Sequence, residues 1–417
     1  MVVGIAAVSV MCGACGQDRA ASPPDPEFTS GQRAEPTVVA SQYVIASGGD
    51  EQIVFDLQSV EPDVSGTVLQ GGVGDQVPVG DLTVIDDTGQ AAPNEAGWQR
   101  FDDELSRRLV PANLAAGVAV MVEGELVHES AFGVRLPGTL DAVTTADRFR
   151  IASISKTVTA VAVMQLVDEG VLALDEPIGQ VLVDSLGVAA PDADASRLTI
   201  RQLLSHRSGF PPAEGIFFGN GATSCADAAV RGLTSMVGSG TAYDYSNMNF
   251  CLLGLLIEAV TGKTYERVVQ ESLLDPLGIS GMRLTSTYEI GPDEVSHFPS
   301  PGRNFMEVLG AAGSWNATPT DIVRIVNSVD PATGGWKSLR PESMSALRGL
   351  GVGYGLGVIN YDAEAWGHTG TIQNTHSMVL VQADGITWAI MVAGDQPSDT
   401  SQLRNIFRAA LATAFPG

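Results

Sequence analysis

Ser153 and Lys156 stand three residues apart at the head of the stretch Arg150-Ile-Ala-Ser-Ile-Ser-Lys-Thr-Val-Thr-Ala-Val-Ala-Val-Met-Gln-Leu-Val167. Residues three apart on a helix share a face, so the amine of Lys156 comes within reach of the hydroxyl of Ser153. A free serine hydroxyl is a weak nucleophile near neutral pH and needs a neighbouring base. At a helix start it also meets unpaired N–H groups and the positive end of the dipole, which favour a developing oxyanion. Further along, Tyr243-Asp-Tyr-Ser-Asn247 puts Tyr245 and Asn247 on one loop ahead of the apolar run Phe250–Ile257. A phenol beside a lysine ammonium is expected to lose its proton more easily and to serve as a base. Asn247 offers both donor and acceptor, suiting a substrate amide or the lysine. A third group, Gly367-His-Thr-Gly-Thr371, lies near a strand end. There Thr369 and Thr371 face one way, and Gly370 is expected to let a ligand backbone come close. Taken singly, each group has an ordinary reading: a Ser/Thr-rich helix start, an Asn-containing turn, and a strand end carrying His368 as a surface imidazole.

The elements that must position these residues can be read from apolar patterning. The run after Lys156 is too dense in apolar residues for a one-faced surface helix and reads as a buried one, ended by Gly170. Residues 98–109 suit an amphipathic helix. Gly117–Val122, a turn at Glu123-Gly124 and Leu126–Phe132 read as a hairpin. The chain is then mostly helical to about residue 347, returns to strands at 355–359, 364–373, 376–383 and 387–394, and closes with a helix over 399–413. The expected fold class is α+β, α/β sandwich-like. One antiparallel sheet is built from both ends of the main domain and flanked by helices, with a mostly helical insert facing it.

The chain has 417 residues, 44% of them hydrophobic, and a formal net charge of −25. This acidity excludes nucleic acid and anionic membrane surfaces as partners, since both require clustered Lys and Arg. Residues 1–15 read as a signal peptide whose ending, Cys12-Gly-Ala-Cys15, resembles a lipoprotein cleavage box with Cys15 lipidated. Membrane contact is then expected only through that lipid anchor, on an exported protein; plain secretion is the alternative. A Pro/Ser/Ala/Asp-rich linker spans 16–36, an acidic β-rich extension 37–97, and the main domain 98–417. Cys225 and Cys251 are a disulfide candidate in an exported chain, worth about 3 kcal/mol by loop closure; two buried free thiols are the alternative. The five histidines are scattered, so no metal site is expected, and neither a P-loop nor a G-x-S-x-G elbow occurs. No cofactor is implied.

Ser153-x-x-Lys156, Tyr245-Ser-Asn247 and His368-Thr-Gly370, in this order, resemble the three signatures of the penicillin-recognising serine hydrolases, the group of class C β-lactamases, D,D-peptidases and related esterases. Leu203–Gly209, Asp275–Gly278 and Tyr354–Gly357 resemble landmarks of that family outside its active site. The resemblance covers about 98–417. It implies Ser153 as the acylated nucleophile, Lys156 and Tyr245 sharing proton transfer, and Asn247, His368, Thr369, Gly370 and Thr371 binding substrate, with the Thr371 N–H as second oxyanion donor. The function so implied is hydrolysis of an amide or ester through an acyl-enzyme at the cell envelope. Its substrate is a small molecule, peptide or ester, with a peptidoglycan stem peptide and a β-lactam among the candidates. A catalytically weak or inactive scaffold acting as an envelope binding lipoprotein is the alternative. Two departures bear on the substrate. A histidine replaces the lysine usual in β-lactamases, and no Lys or Arg occurs between Tyr354 and His368, where D,D-peptidases place an arginine for the peptide carboxylate. Both point toward an esterase or amidase.

Overall fold

Alternation along the strands decides how the layers stack. In Asn113–Val122, Ala115, Ala119 and Met121 face one side, while Ala116, Val118, Val120 and Val122 face the other. Ile386–Gly394 repeats the pattern, with Ala389, Met391 and Ala393 on the first side and Trp388, Ile390 and Val392 on the second. The computed structural model describes residues 42–44, 54–56, 82–85, 91–297, 302–349 and 351–416. The expected signal segment with Cys15, the 16–36 linker and most of 37–97 lie outside these. Among the described residues no helix is long and apolar enough to cross a membrane.

The chain divides into residues 1–59 and 60–417. In the first unit, Gln42–Val44 pairs antiparallel with Val54–Asp56. In the second, a seven-stranded antiparallel sheet runs in the order 353–354, 359–360, 365–372, 375–382, 386–394, 113–122, 125–133. The N-terminal hairpin thus joins the C-terminal strands through Ile386–Gly394, as expected of a sheet shared by both ends. On the face of Val118 and Trp388 lie the two terminal helices, Glu95–Leu109 and Gln402–Ala414. Phe407 stacks on Trp388 with centroids 4.2 Å apart. Leu82 is buried in the same layer, and its carbonyl accepts from Trp98 Nε1 at 3.2 Å. The other face carries alanines, which let the inserted helices approach closely.

Against that face lies the helix Ser155–Asp168, in which every residue from Ser155 to Leu166 is buried. Each large apolar side chain so buried stabilises the fold by about 1.5–3 kcal/mol before chain entropy is subtracted. Two departures from the sequence reading occur here. The strand expected at 355–359 is a pair of two-residue strands, because Gly357 turns the chain at φ +84° and its carbonyl accepts from Thr157 Oγ1 at 2.8 Å. The helical insert also contains a small antiparallel sheet of Phe149–Arg150, Trp315–Ala317 and Arg283–Leu284. Runs of two or three residues carry no period, so nothing in the sequence announces them.

Candidate active site

Ser153 sits in a single 3₁₀ turn, Ala152–Ile154, that leads into the Ser155–Asp168 helix. Ala152 adopts φ +46°, a left-handed conformation that costs a residue with a Cβ of order 1 kcal/mol or more. Neighbouring strands hold the turn in place. Ile151 donates its N–H to Trp315 O at 3.1 Å, and its carbonyl accepts from Ser377 Oγ at 2.9 Å. Gly370 packs directly on it: a Cβ there would lie 2.3 Å from Ile151 O and 3.1 Å from Ala152 Cβ. The expectation that Gly370 admits a ligand backbone is therefore corrected. It admits the backbone of the turn that carries Ser153.

Lys156 is completely buried. Its Nζ lies 2.8 Å from Asn247 Oδ1, 2.8 Å from Ala312 O and 3.1 Å from Ser153 Oγ. Burial pushes the amine down to about 7, so near neutral pH much of it carries two N–H groups and one lone pair. Two of the three neighbours are carbonyl oxygens, which can only accept and therefore take both N–H groups. The lone pair is left for the hydroxyl of Ser153. Asn247 thus holds the lysine rather than reaching outward, the second of the two roles its amide suits.

Tyr245 OH donates to Ser153 Oγ at 2.8 Å. Its ring faces Lys156, with Nζ 4.9 Å from the centroid. The expected phenolate does not follow from this arrangement. Burial raises the phenol above its ordinary range, and the lysine that was to stabilise the anion is itself driven toward the neutral form. Tyr245 is the proton donor of the group and Lys156 the base.

Two residues assigned to landmarks outside the site in fact build its wall. His206 stacks obliquely on Tyr245 with centroids 4.2 Å apart, and Tyr354 meets His206 edge-on at 4.6 Å. His206 Nδ1 accepts from Ser246 N at 3.2 Å and from Asn249 Nδ2 at 2.9 Å, while its carbonyl accepts from Asp244 N at 2.9 Å. Ser246 Oγ donates to Pro211 O at 2.6 Å. The turn carrying Tyr245 is thereby clamped on both flanks. A histidine in Leu203–Gly209 and a tyrosine opening Tyr354–Gly357 were the sequence signals, but their proximity to Tyr245 was not.

His368 is buried, not a surface imidazole. Its Nδ1 lies 2.5 Å from Thr369 O and its Nε2 lies 3.0 Å from Tyr354 OH. A carbonyl only accepts, so Nδ1 bears the proton and the phenol donates to Nε2. Burial holds the ring neutral, down to about 3. Expected as a substrate-binding residue, His368 spends both nitrogens on the protein and so braces Tyr354. Thr369 is half-buried and Thr371 exposed, on the opposite face of the strand from His368 and Gly370. Beyond Gly367, the strand Ala365–Ile372 has no paired neighbour on the side away from Thr375–Gln382 among the described residues. Cys225 and Cys251 form a disulfide, with Cα atoms 5.7 Å apart, joining the helix Cys225–Ser235 to the helix Asn247–Thr261 that starts at Asn247. Among the described residues no three His, Cys, Asp or Glu side chains converge as a metal site.

Residues 107–413 match the family model described as Beta-lactamase. Penicillin-binding protein 4 of Amycolatopsis lactamdurans is 30% identical over 359 residues, covering 76% of this chain and 90% of that protein. Among solved structures, the D-amino acid amidase of Ochrobactrum anthropi superposes with a TM-score of 0.61 at 22% identity, over 76% of this chain and 100% of that one. The octameric penicillin-binding protein homologue from Pyrococcus abyssi gives 0.59 at 20% identity, over 76% of this chain and 75% of that one. At these identities the two structures report a shared fold.

Proposed function

The chain belongs to the beta-lactamase family of serine hydrolases, and from that premise we propose that it cleaves an amide or ester through an acyl-enzyme on Ser153. One observation carries the reading. The two N–H groups of neutral Lys156 are taken by Asn247 and Ala312, so its lone pair is aimed at a hydroxyl that also receives a proton-bearing phenol. Lys156 takes the Ser153 proton as Oγ bonds to the substrate carbonyl carbon. When the tetrahedral adduct collapses, the carbonyl–leaving-group bond breaks and Tyr245 protonates the departing amine or alcohol. The proton held by Lys156 restores the phenol. Water then repeats the sequence on the ester of Ser153 and releases the acid. General base assistance of this kind is worth about 10²–10⁴ in rate.

His368 is neutral and turned to the protein, and no Lys or Arg stands between Tyr354 and His368, which supports an amidase or esterase over a carboxypeptidase or an efficient β-lactamase. The unpaired edge of Ala365–Ile372 offers backbone groups to an extended substrate. The disulfide supports an oxidising compartment, consistent with export and with lipidation at Cys15. A labelled fluorophosphonate should mark Ser153, and Ser153→Ala should lose both the label and hydrolysis of nitrophenyl esters and D-amino acid amides. Undiminished turnover by that variant would overturn the proposal.

A further inference from the structure

The exposed hydroxyl of Thr371 is one end of a chain that runs into the protein. Its Oγ1 lies 2.5 Å from Thr400 Oγ1, which lies 2.9 Å from His376 Nδ1, and both Thr400 and His376 are buried. His376 is the cross-strand partner of Thr371. Thr400 lies on the segment leading into the terminal helix Gln402–Ala414.

The direction of each bond follows by elimination. His376 also hydrogen-bonds the backbone of Asp395 in a way that favours the protonated ring, so that partner is an acceptor; burial nonetheless keeps the ring neutral, down to about 4. A neutral imidazole has one N–H. With that proton directed to Asp395, Nδ1 is a bare lone pair, and Thr400 donates its single hydroxyl proton to it. Thr400 then has none left for Thr371, so Thr371 donates inward. Toward the cleft, Thr371 presents lone pairs alone. A substrate carboxylate would bring a second acceptor against them, whereas a carboxamide or ammonium brings a proton. Arg404, four residues beyond Thr400, is held by Asp362 at 2.8 Å.

We propose that Thr400 and His376 are positioning residues that fix Thr371 as a hydrogen-bond acceptor, selecting substrates whose end at this strand is a donor, a carboxamide or an ammonium, over those ending in a carboxylate. The inference rests on the acyl-enzyme reading and specifies its substrate class.

The test compares kcat/KM of the full chain for acetyl-D-alanyl-D-alanine and for its C-terminal amide. The amide should be preferred by about tenfold or more, the discrimination an unmatched polar group produces. Thr400→Val and His376→Phe each release the Thr371 proton to turn outward, and both should bring the ratio toward one. Thr400→Ser should keep it. Preference for the free acid by the unsubstituted chain would overturn the proposal, as would an equal loss for both substrates in the two variants. Fluorophosphonate labelling of Ser153 in the same preparation reports the acyl-enzyme reading separately. Were that label absent, the ratio of peptide dissociation constants, measured by calorimetry, would still decide the acceptor assignment.

Discussion

Two polar trios occupy opposite faces of the seven-stranded sheet. Against the insert face, Ser153 lies between Tyr245 and Lys156. Under the terminal helices, Ser130 Oγ and His128 Nε2 each lie 2.7 Å from the same oxygen, Asp102 Oδ1. The second trio has the residue types of a hydrolase and lacks its wiring. Both Ser130 and His128 donate to one carboxylate oxygen, so the imidazole stands beside the hydroxyl rather than between it and the acid. The ring of His128 also lies flat on Trp98, with centroids 4.4 Å apart. In the first trio each donor is matched to an acceptor until a single lone pair remains, directed at the serine. Counting protons separates a reactive cluster from a tether where composition does not.

The largest effect expected is at the base. Lys156→Met removes the lone pair while roughly keeping volume, and kcat/KM on an activated ester should fall by about 10³-fold or more. Part of the loss will be structural, because Asn247 Oδ1 and Ala312 O lose their donor, at about 1–3 kcal/mol for each acceptor left buried. Thermal unfolding of the same preparation separates the two contributions. A variant retaining a tenth of the activity would reassign the base.

Next comes the contact that seats the turn. Gly370→Ala forces a methyl group against Ile151 O, and the strand or the turn must yield. A displacement of about 1 Å at the nucleophile is worth about 10² in rate, so activity should fall by that order while the fold loses about 1–3 kcal/mol. Normal turnover with lowered stability would mean that the turn moves without disturbing Ser153.

The other trio should behave in the opposite way. Asp102→Ala strips Ser130 and His128 of their shared acceptor and should lower stability by about 1–3 kcal/mol, read from denaturant unfolding. Its kcat/KM should remain within about twofold. A large fall in activity with unchanged stability would break the distinction drawn between the two faces.

How much of this could be read from the chain differs between the two sides of the site. The spacing of Ser153 and Lys156 places their side chains together because the helix period does so, and Tyr245 entered through the order of three short motifs. The join of the N-terminal hairpin to the C-terminal strands followed from alternation alone. Burial could not be read, and burial decides the protonation states. It makes Lys156 the base, Tyr245 the donor and His368 a neutral brace, where sequence favoured a phenolate and an exposed imidazole. His206 and Tyr354 were visible as residues, but their proximity depends on a loop clamped by Ser246 and Asn249. Ala152 at φ +46° had no sequence signal, since a left-handed alanine is imposed by its surroundings.

The smallest effect expected is the most specific to the base assignment. If Lys156 is the base, kcat/KM should rise about tenfold per pH unit below about 7 and level off above it, because only the neutral amine accepts the proton. Glu214 raises the Lys156 pKa by its charge and acts on Tyr245 in the same sense. It lies three residues past Pro211, whose carbonyl is tied to Ser246 in the Tyr245 turn, and follows Ala213 at φ +56°. Glu214→Gln removes a charge that favours the ammonium, so the neutral amine should prevail at lower pH and the acid limb should move down. Glu214 is exposed, and solvent screening limits the move to a few tenths of a pH unit, shrinking as salt is added. The same substitution should leave the plateau rate above pH 8 within about twofold. Movement of the limb upward, or a limb unaffected by salt, would show that the titrating group is not the amine beneath Ser153.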